Sequence, residues 1–435
     1  MWDAGFFGQG AVVGSIDSGV AWDLPELIDQ YRGWDGSTAD HNYNWHDAVD
    51  SGGTDCPAGS LEPCDEFNHG TATLGLAVAG QLVGDASDDQ IGVAPQAKWM
   101  MCRAYITPFD GSGTVATAME CLQWMLAPTD LNGENPDPTK APDVLNTSWG
   151  CLPAMGCTDP LVLQTIGQNL RAAGVFHATA AGNDDPNCDT VFAPPAIYQS
   201  AITTGSCGVD STLTEFISGF SSRGPAGTTG LIKPDVVAPG QGVRTFDRLG
   251  APITVNGTSA SSPHLAGEVA LLISASSALA GNVDALEAVV EQYADPMTSG
   301  QTCGGVPGSE IPNNTWGWGR INAWSSYLGI SGSTASPVLS DATGVELSPG
   351  RPNPSQGATV LEYSISAPAA VSLAIHDVGG RKVRGLVRVD RQGPGSFAVV
   401  WDGRDELGSS VAAGVYFACL RVGSVVKTRR VQLVR

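Results

Sequence analysis

Three residues far apart in the chain carry side chains that could act together: a carboxylate, an imidazole and an alcohol. Asp17 follows an apolar run in Ile16-Asp17-Ser18-Gly19-Val20, and His69 opens a stretch of small residues in Asn68-His69-Gly70-Thr71. Ser259 lies in Asn256-Gly257-Thr258-Ser259-Ala260-Ser261-Ser262-Pro263-His264. A serine hydroxyl is a weak nucleophile at neutral pH, and a base that takes its proton, itself held by a third group, makes it a strong one. Singly, each residue has an ordinary reading: an Asp in a turn or cap, a Ser at an N-cap, a His that is packed or on the surface. Together they fall where strands end or helices begin, the edge of a parallel sheet at which sites are built. Gly257 allows a tight entry to the helix that Ser259 precedes, and Pro263 suits that helix's first turn. A helix N-terminus beside the hydroxyl favours developing negative charge.

The elements that must position these residues are legible as alternation. Short apolar runs at Val12–Ile16, Lys98–Tyr105, Asp143–Asn146 and Gly174–Ala181 read as buried parallel strands. Between them lie helical patterns at His69–Gly80, Thr114–Leu126, Leu161–Ala173 and Ser262–Ser274. The fold class is α/β, a mainly parallel sheet with helices on both faces, over a domain spanning 1–328. Residues 329–346 are rich in Gly, Ser, Thr and Ala and read as a linker. Beyond it, β-rich segments at Thr359–Ile365, Val371–Ile375, Ser396–Trp401, Val415–Val422 and Val425–Leu433 are separated by turn residues. They predict a small all-β sandwich over 347–435.

Charge divides the chain in the same way. The net charge over 435 residues is −22, yet residues 351–435 hold 12 Lys and Arg against 6 Asp and Glu, a net of +6, leaving −28 for 1–350. The acidic total argues against nucleic-acid binding. No run approaches the ~18 apolar residues of a membrane-spanning helix. Ten Cys without a CxxC pair argue for two to four disulfides in an oxidising compartment rather than a zinc site. Cys56/Cys64 and Cys151/Cys157 are close in sequence, Cys102/Cys121 and Cys188/Cys207 are each 19 apart, and Cys303 and Cys419 have no evident partner. Met1-Trp2-Asp3-Ala4-Gly5 lacks the basic and apolar regions of a signal peptide, so export would require a leader missing from this sequence.

The order Asp17, His69, Ser259 in these contexts resembles the subtilisin-like serine peptidases, above all through Gly257-Thr258-Ser259 and Pro263-His264-Leu265-Ala266-Gly267. Phe220 to Pro225, Lys233 to Gly240 and Trp316 to Asn322 are similar to further runs of that family, and Tyr31 to Trp34, Tyr43 to Ala48 and Asn146 to Cys151 are most similar to its bacillopeptidase F-like branch. The resemblance implies a secreted serine endopeptidase acting on polypeptides, with Ser259 as nucleophile, His69 as base, Asp17 orienting it, and Asn183 of Ala180-Ala181-Gly182-Asn183 in the oxyanion hole. It further implies that a substrate strand lies between Gly111-Ser112-Gly113 and Ser148-Trp149-Gly150, making Gly113, Ser148, Trp149, Gly150, Ala181 and Gly182 substrate-binding positions. Trp149 is either a pocket wall or an ordinary packed Trp. The sequence departs from the family at Ala72, usually a second His or a similar residue, at Ala260 and Ser261, usually Met and Ala, and at Ser18, more commonly Thr. The stretch between Asp17 and His69 carries an insertion with Cys56 and Cys64.

No cofactor is needed for this chemistry. Structural calcium is an expectation for the acidic residues Asp85, Asp88, Asp89, Asp184 and Asp185, without an assigned site. His264 and His177 read as structural, and His41, His46 and His376 carry no motif. The C-terminal segment resembles the immunoglobulin-like domain of flagellar hook-capping proteins and the sorting tails of type IX-secreted proteins, through Arg351-Pro352-Asn353-Pro354, Asp377 to Arg384, Trp401 to Asp405 and Gly414 to Phe417. That implies an extracellular or cell-surface location and contact with an envelope or secretion machinery; separately, the basic balance of this segment suits docking to an acidic partner, the peptidase domain or an envelope surface. The competing readings are a non-catalytic surface-binding protein, which the complete residue set opposes, and an esterase, which the lack of a G-x-S-x-G elbow opposes.

Overall fold

The computed structural model describes residues 1–82, 90–107, 112–227, 229–331, 345–348, 350, 353, 355, 357–377, 381–423 and 425–434. Asp85, Asp88, Asp89, Gly111, Arg351, Pro352, Pro354, residues 378–380 and positions 332–344 of the expected linker lie outside the described residues. The chain forms two compact units, one built on Met1–Arg171 and Val175–Ser336, the other on Pro337–Arg435.

The first unit is organised on one eight-stranded sheet. Its strands are β1 (Val12–Asp17), β2 (Trp45–Asp47), β3 (Lys98–Arg103), β4 (Val144–Thr147), β5 (Phe176–Ala180), β6 (Ile202–Val209), β7 (Glu215–Ile217) and β8 (Val236–Pro239). The order is β2-β3-β1-β4-β5-β6-β7, with β8 also on β6; only the β6–β7 pairing is antiparallel. The central strands are buried along nearly their whole length, as continuous apolar runs under helices on both faces should be. The helices are α1 (His69–Val78), α2 (Val115–Leu126), α3 (Gln164–Ala172), α4 (Thr258–Ala275), α5 (Val283–Gln292) and α6 (Ala323–Ser331). Thr114 caps α2 reciprocally with Thr117, which fixes its start. Two hairpins complete the unit, β9 (Val243–Phe246) with β10 (Pro252–Val255) and β11 (Thr302–Cys303) with β12 (Val306–Pro307).

The second unit is a β-sandwich. A three-stranded sheet of β13 (Val345–Leu347), β14 (Thr359–Ile365) and β17 (Gly395–Trp401) accompanies a four-stranded sheet of β16 (Lys382–Gln392), β15 (Ala369–Asp377), β18 (Gly414–Val422) and β19 (Val425–Leu433), all pairings antiparallel. Alternate residues face one core: Leu361, Tyr363 and Ile365 from β14 meet Leu373, Ile375, Ala418, Leu420 and Val431. The sequence reading lacks β13 and β16; β16 carries four Lys or Arg and pairs with β15 through register shifts, which blur its alternation.

Four disulfides are present: Cys56–Cys64, Cys102–Cys121, Cys151–Cys157 and Cys188–Cys303. Cys188 therefore pairs with Cys303 across 115 residues, not with Cys207, which is a buried free thiol. Among the described residues, no helix is long and apolar enough to cross a membrane.

Closing a longer loop removes more entropy from the unfolded chain. Replacing both Cys188 and Cys303 by Ser is expected to cost about 4–5 kcal/mol, against about 2 for the six-residue Cys151–Cys157 loop. Thermal unfolding of the two double variants checks the order, and equal or reversed losses would refute it. A second test concerns α4. Its Glu268 is 1% exposed and accepts from Ser326 Oγ at 2.8 Å, while its other oxygen has no partner among the described residues. Burial, opposed by the Ser326 bond and assisted by Asp295, pushes its carboxyl from 4.5 to about 7. The folded state thus holds this proton more tightly, so the contribution of Glu268 to stability is fullest below pH 4.5 and is lost as pH rises through 7. Glu268→Gln is expected to remove on the order of 3 kcal/mol of that decline in urea titrations across the range.

Candidate active site

Asp17 ends β1 with no solvent exposure. Its Oδ1 accepts from the Ser18 backbone N–H at 2.7 Å, from His69 Nδ1 at 2.7 Å and from the Tyr105 hydroxyl at 2.8 Å, and its Oδ2 accepts from Thr73 Oγ1 at 3.2 Å. Burial alone would raise the carboxyl; the His69 charge and these donors outweigh it and hold the group below its ordinary range. Burial would likewise lower His69, but the Asp17 carboxylate outweighs it and raises the imidazole above 6.5. Because an ionised carboxylate only accepts, Nδ1 carries the proton and Nε2 is left as the basic nitrogen.

His69 is the first residue of α1, and the turn that delivers it is held by Asp65. Asp65 accepts from Ser18 Oγ, the Phe67 and Asn68 N–H groups, and the Thr71 N–H and hydroxyl, while Ser18 Oγ accepts from Gly70 N–H. These bonds satisfy helix N–H groups that have no partner within α1. The preceding insertion is anchored. Glu66 takes the N–H groups of Thr54, Asp55 and Cys56, and the buried Arg103 binds both oxygens of Asp47 and the carbonyls of Cys56 and Pro57. Cys64 presses against the loop after β1, accepting from Val20 N–H at 2.9 Å. Phe67, exposed beside the site, stacks on His69 at 6.4 Å between centroids.

α4 begins at Thr258, four residues before the start that the sequence pattern predicts, so Ser259 is its second residue and Pro263 is interior to the helix rather than in its first turn. Proline has no N–H to give the carbonyl four residues earlier. That carbonyl belongs to Ser259, and Ser148 Oγ donates to it instead, at 2.9 Å. Asn146 completes the brace, donating to Ser148 Oγ at 3.0 Å and accepting from Ser262 Oγ at 2.7 Å. Asn183 uses its side-chain oxygen to accept from the Thr258 N–H and hydroxyl, at 2.9 and 3.1 Å, which fixes the carboxamide's orientation. A Cβ on Gly257 would stand 2.8 Å from Ser259 Oγ and 3.5 Å from Asn183 Nδ2, so hydroxyl and amide border one small space that only a glycine leaves open.

β1, β4 and β5 run parallel, so Asp17, the Ser148–Gly150 segment and the Ala181–Asn183 segment share one sheet edge, and α1 packs against α4 above it. Ala181 N–H donates to Thr204 and Gly182 N–H to Thr258 Oγ1. Gly113 lies against Tyr105, a Cβ there falling 2.8 Å from the Tyr105 Cβ. Trp149 is buried and donates its indole N–H to the Ile16 carbonyl at 2.8 Å, and Gly150 lies against Ala193. His264 Nδ1 bonds the Ala260 carbonyl and His177 bonds Thr147, burial lowering the His177 imidazole to about 3. Among the described residues no group of three or more His, Cys, Asp or Glu side chains could hold a metal; Asp184 is bonded to Ser222 and Asp185 to the Asn187 N–H. Sequence reasoning missed Asp65, Thr73, Phe67 and Tyr105; the acid-to-His spacing in Asp65-Glu66-Phe67-Asn68-His69 was the available signal for the first.

The chain is similar to known proteins over this unit. The profile of the Subtilase family matches residues 8–319. Bacillopeptidase F of Bacillus subtilis (strain 168) is 35% identical over 343 residues, covering 76% of this chain and 21% of that protein. Serine protease AprX of the same organism is 30% identical over 234 residues, 49% of this chain and 50% of the relative. This chain thus spans about a fifth of one relative and half of the other. The solved structure of an S41 psychrophilic protease shares the fold with a TM-score of 0.53 and 24% identity, over 72% of this chain and 92% of that one.

The close approach of Cys64 gives a test of how the site is built. At Gly19, φ is +107° and a Cβ would fall 1.9 Å from the Cys64 carbonyl oxygen; at Gly36, φ is +96° with nothing within 4 Å. Gly36→Ala is expected to cost about 1–2 kcal/mol of backbone strain, and Gly19→Ala at least about 2 kcal/mol more because backbone must move. Urea denaturation of both variants checks this, and equal costs would refute the packing of the insertion on the site.

Proposed function

The chain belongs to the subtilase family, and on that premise we propose that it is a serine endopeptidase cleaving polypeptides outside the cell. The observation that carries the reading is the bond from His69 Nδ1 to the fully buried Asp17, which leaves Nε2 free as a base at the sheet edge where Ser259 and Asn183 border one space.

In this mechanism Ser259 Oγ attacks the scissile carbonyl carbon while His69 Nε2 takes the hydroxyl proton. The Asp17 carboxylate stabilises the imidazolium so formed and keeps the ring in its Nδ1–H tautomer. The carbonyl oxygen becomes an oxyanion, stabilised by Asn183 Nδ2–H and the Ser259 backbone N–H at the start of α4, where the helix dipole adds to the field. His69 then gives its proton to the leaving amine; a water attacks the acyl group by the same route and regenerates Ser259. One oxyanion donor is worth about 10²–10³ in turnover. The substrate backbone would lie as an added strand along Gly113 and Ser148–Gly150, which suits sequence-tolerant binding. Ala181 and Gly182 support the Asn183 turn. Export is supported by the four disulfides. The basic C-terminal sandwich is read as a docking module for an acidic envelope or secretion partner.

Wild type and Ser259→Ala should be incubated with a protein mixture and the new termini read by mass spectrometry. Wild type is expected to create termini and to take up a fluorophosphonate, and Ser259→Ala to do neither; termini from both proteins would refute the assignment. The base form of His69 is the active one, so kcat/KM is expected to be present above the folded pKa and to fall as pH drops through it. Because that pKa is raised, the midpoint should lie above 6.5. A midpoint below 6.5 would contradict the pairing with Asp17.

A further inference from the structure

Of the four donors at Asp17, the mechanism above uses His69 alone, and Tyr105 is the other one that shares its oxygen through a side chain. Tyr105 is 2% exposed and aims its hydroxyl at Asp17 Oδ1, the same oxygen that His69 Nδ1 holds, and stands 3.4 Å from that nitrogen. A buried tyrosine hydroxyl usually finds a partner, and most side-chain hydrogen bonds go to backbone or water. Here it is the second side-chain donor on one carboxylate oxygen. Its backbone is fixed as well: Ala104 N–H donates to the Asp17 carbonyl at 2.9 Å, and Arg103, paired in register with Asp17, is clamped to Asp47. Gly113, a proposed substrate-edge residue, packs on its Cβ.

We infer that Tyr105 is a positioning residue for the proposed peptidase reaction, setting both the orientation of Asp17 and the basicity of His69 by sharing Oδ1. The inference rests on the function proposed above for this site. A hydrogen bond from the phenol withdraws charge from Oδ1, which lessens what the carboxylate can give to the imidazolium. It also locks the carboxylate plane against rotation, so the imidazole stays aimed. Burial and Asp17 together hold the phenol well above its ordinary pKa, so it remains a donor throughout the working range. Among the described residues, other charged groups near the pair have partners of their own. Asp65 from the insertion raises His69. Arg103 on β3 is committed to Asp47, and Arg248 from the β9–β10 turn pairs with Asp55. His264 on α4 is bonded within its own helix.

The test compares wild type with Tyr105→Phe and with a protein carrying 3-fluorotyrosine at position 105, a stronger donor of nearly the same size. In Tyr105→Phe, kcat is expected to fall about tenfold with KM unchanged, the size of one lost donor to a charged group. The acid limb of kcat/KM should move up by about half to one pH unit. Fluorotyrosine should move the limb down. The His69 titration read by NMR on ¹⁵N-histidine-labelled protein should shift in the same two directions. That readout needs no peptidase activity, so an inactive wild type would count against the proposed function and leave this inference still decided by the spectra. A Phe variant with unchanged limb, kcat and His69 titration would overturn it. Should that variant not fold, an unmoved limb and titration in the fluorotyrosine protein would do so.

Discussion

An ionised carboxylate stripped of water is one of the least tolerable groups in a protein interior unless it is fully partnered. Asp17 is such a group, and much of the first unit can be understood as the partnership it requires. Four donors reach it from three places: the following residue, α1 through both His69 and Thr73, and the segment after β3. Each donor is held by something else. Ser18 is tied to Asp65 and α1, Tyr105 to Gly113 and β3, and His69 to the turn that Asp65 organises. The insertion between Asp17 and His69 belongs to the same construction, because Glu66, Arg103 and the Cys56–Cys64 bridge give Asp65 a rigid place to stand.

The opposite side of the site follows from a proline. Pro263 removes one helical hydrogen bond at the point where α4 begins, and the freed carbonyl is that of Ser259. Ser148 and Asn146, from the end of β4, take over the missing bond and fasten the start of α4 to the sheet edge. A backbone defect is thereby turned into a side-chain brace that fixes where the hydroxyl stands. Asn183 is locked by a similar economy, its oxygen given to Thr258 so that its nitrogen faces Gly257.

What could be read from the sequence is what depends on local pattern. The strands around Val12, Lys98, Val144 and Phe176, the helices after His69 and Thr114, and the β-rich tail all announce themselves by periodicity or apolar runs. Asp17, His69, Asn183 and Ser259 sit in short segments whose residue types suit their chemistry. What could not be read depends on contacts between distant segments. Cys188 is nearer in sequence to Cys207, but the fold brings Cys303 to it. Tyr105 looks like one more apolar residue at a strand end, and only the register of β1 on β3 turns its hydroxyl toward Asp17. Pro263 suits a first turn by preference, and only the earlier start of α4 makes it interior and gives Ser148 its task.

The central claim is that the His69 imidazole and the Ser259 hydroxyl address one carbonyl with the Asn183 amide beside it. A peptidyl chloromethyl ketone measures this directly, because its methylene alkylates an imidazole with loss of chloride while its carbonyl accepts a serine hydroxyl. A crystal structure of the treated protein should show one inhibitor joined to both His69 Nε2 and Ser259 Oγ, its hemiketal oxygen within hydrogen-bonding distance of Asn183 Nδ2. An adduct on His69 with Ser259 out of reach, or an unmodified pair in a folded protein, would contradict the account.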